Sequence, residues 1–247
     1  FVFLIPAFKE SKIIKETVSY FKKIESENVE IYYITTNKEI SKISWKNDTL
    51  EILSQYVDNK YIIDYPFIKW DKACQLNYAI KCLAWKYDGK YTYFWVFDAD
   101  SRPDFWVLNY INFDKDREPL YQMLSVYNTN YNKISNICKA NAVLQTRRSF
   151  YFEYDKLQKN NKSGRLKNLM YLIWHWLFIR WDLLWKYLFS ENSITEDIYY
   201  WYQLCLKWFF AKPLLYYDYC SVPNNLTTNI KQISSWFYGQ FEIIINN

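Results

Sequence analysis

Glycine is scarce: 3 in 247 residues, Gly89, Gly164 and Gly239, far apart. The dinucleotide glycine fingerprint and the P-loop both need clustered glycines, because only backbone without a Cβ closes tightly around phosphate. Both devices are therefore excluded. A nucleotide diphosphate bound here must be neutralised by metal and cationic side chains instead. Histidine is scarcer still, and a single His175 excludes the two-histidine zinc motifs. The 5 cysteines (Cys74, Cys82, Cys138, Cys205 and Cys220) show no Cys-x-x-Cys spacing. Their odd number argues against a disulfide framework, and they read as small hydrophobes of a reducing compartment. No apolar run approaches the ~20 residues of a membrane span. The longest, Leu169 to Trp174, is broken by His175 and then by Arg180. No signal-peptide pattern is visible.

What the chain has is apolar bulk. Hydrophobic residues make up 51% and aromatics 22%, enough for a sizeable core, and 23% charged residues leave no room for wholesale disorder. The net charge of +5 comes from interspersed Lys and Asp/Glu. It suits an anionic ligand or an anionic membrane surface and does not ask for nucleic acid.

One stretch organises the rest: Tyr91-Thr-Tyr-Phe-Trp-Val-Phe-Asp98-Ala-Asp100. An uncharged aromatic and β-branched run ends in two carboxylates. The run predicts a strand buried on both faces, as inside a parallel sheet. Chain leaving such a strand emerges at the sheet's carboxyl edge, where open α/β folds bind ligands. In extended backbone, side chains two apart point the same way, roughly 6.5–7 Å from each other. Asp98 and Asp100 are thus expected to share one hard cation, directly or through its water. The competing reading is a solvated turn, with Pro103 helping to stop the strand.

Around this stretch the pattern alternates. Phe1 to Ile5 predicts a strand ending at Pro6, and Glu10 to Glu27 an amphipathic helix with Ile13, Ile14, Val18, Phe21 and Ile24 on one stripe. Val29 to Thr36 is a second strand. Asp48 is expected to N-cap a helix running to about Val57. A third strand covers Tyr61 to Ile63, and Asp71 to Lys86 is helical. The alternation predicts an α/β fold with a doubly wound, mostly parallel central sheet flanked by helices. The second half is less regular. It predicts a strand at Leu120 to Tyr127, a helix from Ile134 to Lys159, and a Lys/Asn/Gly loop to Lys167. Leu172 to Arg180 reads as extended, then Trp181 to Phe189 as helical. Glu196 to Trp208 is a helix with Glu196 and Asp197 in its first turn, the end that favours carboxylates. A strand at Leu214 to Val222 and a helix at Leu226 to Phe241 complete the chain.

Several segments then follow in order: Ile5-Pro6-Ala-Phe-Lys-Glu10, Lys72-Ala-Cys-Gln-Leu-Asn77-Tyr-Ala, Asp98-Ala-Asp100, His175-Trp-Leu-Phe-Ile-Arg180, Thr195-Glu196-Asp197 and Gln232-Ile-Ser-Ser-Trp236. Together they resemble the family 2 glycosyltransferases of the GT-A fold, on the branch that includes cellulose and hyaluronan synthases. The resemblance covers nearly the whole chain. It implies one GT-A domain over residues 1–247, with a nucleotide-sugar half to about residue 115 and an acceptor and catalytic-base half over 116–247. Three departures stand out. Thr35-Thr36-Asn37 replaces the family's base-contacting Asp, Ser235 replaces the Arg of Gln-x-x-Arg-Trp, and His175 lies between Trp174 and Trp176 rather than two glycines.

The reaction so implied is inverting transfer from a nucleotide sugar, a UDP-sugar by preference, to a carbohydrate or lipid-linked acceptor. Asp98 and Asp100 would hold Mg²⁺ or Mn²⁺, since all-oxygen ligation suits hard ions. Asp197, beside Glu196, would act as general base. Pro6, Glu10, Thr36, Lys72, Asn77, Asp98, His175, Arg180, Gln232 and Trp236 would line the substrates. Surface polysaccharide or glycolipid synthesis at the inner face of the cell membrane follows from the same resemblance. Plainer readings exist for each residue: a solvated Lys-rich helix for Lys72 and Asn77, a core histidine for His175, a core ring for Trp236. The rival in function is a fold that keeps nucleotide-sugar binding and has lost catalysis. A membrane-surface scaffold resting on Trp174, Trp176, Trp181 and Trp185 is a third.

Overall fold

The computed structural model describes all residues except 41–46, 68–70, 88, 166–176, 192–194 and 246–247, and the side chains of 236, 237 and 239–245 are likewise outside the description. In chain order the elements are β1 (Val2–Pro6), α1 (Ile14–Phe21), β2 (Glu30–Thr36), α2 (Asp48–Tyr56), β3 (Ile62–Tyr65), α3 (Lys72–Leu83), β4 (Tyr93–Val96), β5 (Arg102–Pro103), α4 (Trp106–Phe113), β6 (Leu120–Tyr127), α5 (Asn136–Arg148), α6 (Tyr154–Ser163), β7 (Leu177–Arg180), α7 (Trp181–Lys186), α8 (Glu196–Leu206), β8 (Lys212–Cys220) and α9 (Leu226–Ile245). Contacts divide the chain into two compact units, one of residues 1–100 with 178–191, the other of 101–177 with 192–247.

In the first unit the strands run β3-β2-β1-β4-β7. The pairs β1–β2, β1–β4 and β2–β3 are parallel, while β7 joins β4 antiparallel. The expected parallel sheet is present here with one reversed strand. Its centre is aromatic because β1 and β4 are buried on both faces. Phe3, Phe94, Trp95, Phe97 and Phe178 are all at most 1% exposed. Trp95 meets Phe178 with ring centroids 3.6 Å apart, and Phe94 stacks on Trp181 at 4.6 Å. Trp181 is therefore a core ring, which removes it from any membrane-facing set; Trp185 stays exposed, and Trp174 and Trp176 lie outside the described residues.

Element ends differ from expectation for local reasons. The first helix shrinks to Ile14–Phe21, because residues 11–13 and 22–24 form turns. Asn47, not Asp48, caps α2: its Oδ1 accepts the Leu50 N–H at 3.0 Å. The strand of the organising stretch stops at Val96, so Asp98 and Asp100 are carried by the following turn and not by extended backbone.

The second unit pairs β6 with β8 in parallel and β8 with β5 antiparallel. Neither β5 nor α4 is foreseen by the sequence pattern. Asp218, fully buried on β8, accepts the Arg102 N–H at 3.0 Å and so fixes the short strand. The long helix expected from Ile134 is broken into α5, a π-turn at Ser149–Glu153, and α6. There the Ser149 hydroxyl accepts the Ser125 N–H of β6 at 3.0 Å. Residues 160–163, expected as loop, are helical. The helix ends where Gly164 takes φ +58°, the left-handed position that glycine caps without strain. Among the described residues no helix is long and apolar enough to cross a membrane. All five cysteines are free, but Cys82 is exposed rather than packed.

Candidate active site

In the first unit β1 lies between β2 and β4. The chain therefore winds one way through β1, α1, β2, α2 and β3, then crosses back through α3 to β4. Such a reversal leaves a crevice at the carboxyl ends of the two central strands. Here those ends carry Glu10, after β1, and Asp98 and Asp100, after β4.

The local backbone is held for this purpose. Lys9 takes φ +59°, unusual for a residue with a Cβ. Its N–H donates to Glu39 Oε2 at 2.8 Å, and the Glu10 N–H donates to Thr49 Oγ1 at 3.1 Å. Glu39 Oε1 in turn accepts from Thr49 N–H at 2.9 Å and from its hydroxyl at 2.7 Å. The turn between the two aspartates is pinned from α1: the buried Thr17 hydroxyl donates to the Ala99 carbonyl.

The electrostatics are unbalanced. Burial first, then the charges of Asp100, Asp98 and Glu39, push the Glu10 carboxyl up to about 7. Among the described residues, Lys72 Nζ lies 2.5 Å from Asp98 Oδ1. Lys72 is the first residue of α3, presented at this edge because Asp71 caps the helix through the Cys74 N–H at 2.7 Å. Among the described residues, no three His, Cys, Asp or Glu side chains stand close enough to enclose a metal ion. Two aspartates on one turn nevertheless fit an ion such as Mg²⁺, which is commonly held by one or two carboxylates and completed by phosphate and water.

The other expected residues divide. Pro6 ends β1 beside Ile34, at the same edge. Thr36 is there too but fully buried, its hydroxyl accepting the Lys38 N–H at 3.3 Å within its own turn. Asn77 is 2% exposed, and its amide is engaged. Nδ2 donates to the Phe189 carbonyl and to Glu191 Oε1, both at 2.9 Å, and Oδ1 accepts the Phe189 N–H at 3.0 Å. It fastens α3 to the segment after α7. Arg180 is not brought to the carboxyl edge. Because β7 runs antiparallel to β4, Arg180 pairs with Tyr93 at the start of β4, and its guanidinium grips Asp182 at 2.7 and 2.9 Å.

In the second unit, Glu196 and Asp197 open α8, Glu196 nearly buried and Asp197 half-buried. Asp197 Oδ1 accepts the Ile198 N–H at 2.8 Å. Gln232 is exposed on α9. His175 and the Trp236 side chain lie outside the described residues. Sequence reasoning missed Thr17, Glu39 and Thr49, the residues that shape the edge. Only Thr17, a polar residue inside an apolar helical stripe, carried a signal.

No protein-family profile and no curated protein matches this sequence. Solved structures do match. S. aureus TarS residues 1–349 in complex with UDP-GlcNAc aligns over 92% of this chain and 59% of its own, at 15% identity and TM-score 0.54. The mannosyltransferase PcManGT from Pyrobaculum calidifontis, in complex with GDP-Man and Mn²⁺, aligns over 100% of this chain and 64% of its own, at 12% identity and TM-score 0.62. This chain thus spans about three fifths of the length of those structures. The class the likeness defines is a glycosyltransferase fold. It does not single out the cellulose and hyaluronan synthase branch.

Proposed function

We propose that this chain transfers a sugar from a nucleotide-sugar donor, by preference a UDP-sugar, to an acceptor hydroxyl with inversion. The observation that carries this reading is that Glu10, Asp98 and Asp100 follow the two central strands at the sheet's point of reversal, with the Glu10 carboxyl pushed up to about 7 by burial and by the charges of its acidic neighbours. A strongly perturbed carboxyl in such a crevice, as Glu10 is, points to a site. The ligands held by TarS and PcManGT bring the donor class.

The residues take separate roles. Asp98 and Asp100 would hold a divalent cation, Mg²⁺ or Mn²⁺, which would supply neutralisation of the departing diphosphate. Lys72, at the same edge and 2.5 Å from Asp98 Oδ1, would add its positive charge toward the diphosphate. Asp197 removes the acceptor's proton, an assistance of about 10²–10⁴-fold. Its place in the first turn of α8 favours the ionised form. Glu10, near neutrality, accepts from or donates to a donor hydroxyl. The acceptor is a carbohydrate or lipid-linked sugar, and the setting is surface polysaccharide or glycolipid synthesis at the inner membrane face.

Nucleoside-diphosphate release from a panel of UDP- and GDP-sugars with Mn²⁺ tests the reading. Asp197→Asn should lower transfer by about 10²–10⁴-fold and leave nucleotide affinity within twofold. Wild-type turnover in that variant would remove Asp197 from the mechanism. The second reading, a binding module without catalysis, is favoured by the Lys72–Asp98 pair and by Ser235. It predicts nucleotide binding with no release from any donor.

A further inference from the structure

A separate cavity of about 200 Å³ opens in the first unit, lined among others by Lys22, Glu25, Tyr33, Tyr56, Asp58 and Tyr61. Helices α1 and α2 lead away from the carboxyl edge toward the next parallel strand. Their C-terminal ends, where Lys22 and Tyr56 stand, therefore come to the amino half of the sheet. Tyr33 sits midway along β2, opposite Ile62 at the start of β3. The cavity is thus remote in the fold from the turn that carries Asp98 and Asp100.

One side chain there lacks its counterpart. Tyr33 is 3% exposed and lines the cavity, yet its hydroxyl has no hydrogen-bond partner among the described residues. The hydroxyl is not sealed in the core but reaches solvent through the cavity, where a ligand oxygen can take the place of water. Burial, then the charge of Glu25, pushes this phenol well above its ordinary range, so it stays a neutral donor.

The surroundings select the ligand by charge. Glu25 repels phosphates and carboxylates, while Asp58 already meets the Lys60 ammonium at 3.6 Å and accepts the Lys60 N–H at 3.1 Å. Cations are refused by lysines already in place. Lys15 Nζ stands 5.4 Å from the Tyr56 ring centroid and Lys60 Nζ 4.8 Å from that of Tyr61, while Lys22 Nζ donates to the Tyr56 carbonyl at 2.6 Å. A neutral ring bearing hydroxyls suits these groups: its hydroxyls donate to Glu25 and to the remaining lone pairs of Asp58 and accept from Tyr33, and its C–H faces pack on the tyrosines. The volume, about seven waters at ~30 Å³ each, falls below that of drug-sized pockets and suits one ring.

We propose that this cavity, with the unpaired Tyr33 hydroxyl at its wall, is a binding site for a single neutral sugar ring. The site stands independently of the transfer reading. A free monosaccharide and the end of a glycan chain share this chemistry.

Saturation-transfer NMR and tyrosine fluorescence, with glucose, N-acetylglucosamine and their linear trimers, test the proposal. Saturable binding is expected, weakened about three- to tenfold by Tyr33→Phe, which removes one hydrogen bond and keeps the ring. Asp58→Asn should weaken it as well, and Asp100→Ala should leave it intact. Tighter binding of the trimer assigns the site to a glycan end; equal binding assigns it to a free sugar. Glucosamine and glucose 6-phosphate should bind more weakly than glucose. The proposal is overturned if no neutral sugar saturates the site, or if a charged sugar is preferred. It is also overturned if folded Tyr33→Phe and Asp58→Asn, with wild-type circular dichroism and melting, bind as wild type does. Loss of binding in Asp100→Ala would place the sugar at the carboxyl edge instead. Nucleoside-diphosphate release is measured separately, so each reading fails on its own evidence.

Discussion

Glu30 and Glu10 stand at opposite ends of the same sheet, and the protein drives their carboxyls in opposite directions. Glu30 opens β2 at the amino end. Burial alone would raise it, but hydrogen bonds from Lys86 and Tyr87, the Lys86 charge and a hydrogen bond from Tyr32 outweigh burial and hold it below the usual range. Lys86 Nζ reaches its two oxygens at 2.8 and 2.9 Å, Tyr32 reaches Oε2 at 3.3 Å, and the Tyr87 hydroxyl bonds it too. Glu10, at the carboxyl end, meets burial together with Asp100, Asp98 and Glu39, and is pushed up to about 7. One carboxylate is answered by the chain; the other is opposed by it. The first arrangement makes structure, and the second leaves a carboxyl whose charged form its surroundings disfavour, which a bound cation would relieve.

The largest effect expected on this contrast comes from Asp100→Ala. It should weaken Mn²⁺-dependent UDP binding by about a hundredfold or more, measured by calorimetry, with the fold intact. Retained Mn²⁺-dependent affinity would mean that the acidic end is not the ligand end. Asn77→Ala should behave in the opposite manner. Its amide makes three internal hydrogen bonds at 2% exposure, so truncation leaves Glu191 and two backbone groups without a partner. A loss of about 2–4 kcal/mol in urea unfolding is expected, with UDP affinity of the folded protein unchanged. A lost affinity without lost stability would return Asn77 to the substrate.

Much of this was legible before any coordinates. The uncharged run into Asp98 gave the central strand, and the alternation of patterns gave the parallel order of the first four strands, because burial on both faces leaves a distinctive composition. Glu10 follows β1 at the edge where Asp98 and Asp100 follow β4, and their charges act on it. What stayed hidden depends on partners distant in sequence. Asn77 looks like a helix-surface amide until Phe189 and Glu191 arrive beside it. Arg180 looks like a site cation until β7 proves antiparallel and delivers it to the other end of β4. Thr36 is a plausible base contact by position, but its hydroxyl serves its own turn. The break in the helix from Ile134 follows from a hydrogen bond between Ser149 and β6, which no local pattern encodes.

Glu10→Gln probes the opposed carboxyl directly. A raised pKa means that the folded state keeps a proton the unfolded chain has released. Stability of the metal-free protein therefore falls as pH rises from about 4.5 to 7 and is level above. Glutamine removes this penalty. The variant should match wild type at pH 4 and exceed it at pH 8 by about 1–2 kcal/mol, discounted because the group is part-exposed. Equal stability at pH 8 would show that the acidic neighbours do not crowd Glu10.

Glu30→Gln is the smallest and completes the comparison with the opposite sign. A lowered pKa contributes stability that is present above the unfolded value and lost as pH falls through the folded one. Its ion pair with Lys86 leaves the two side chains 28% and 34% exposed, so screening limits the gain. A loss of about 0.5–1 kcal/mol is expected at pH 8, near 2 °C in thermal midpoint, and less below pH 4. Measured side by side at pH 8, Glu10→Gln should melt above wild type and Glu30→Gln below it. If both moved the same way, the difference between the two ends of the sheet would be one of burial alone, and the acidic crowding at Glu10 would carry no argument for a ligand.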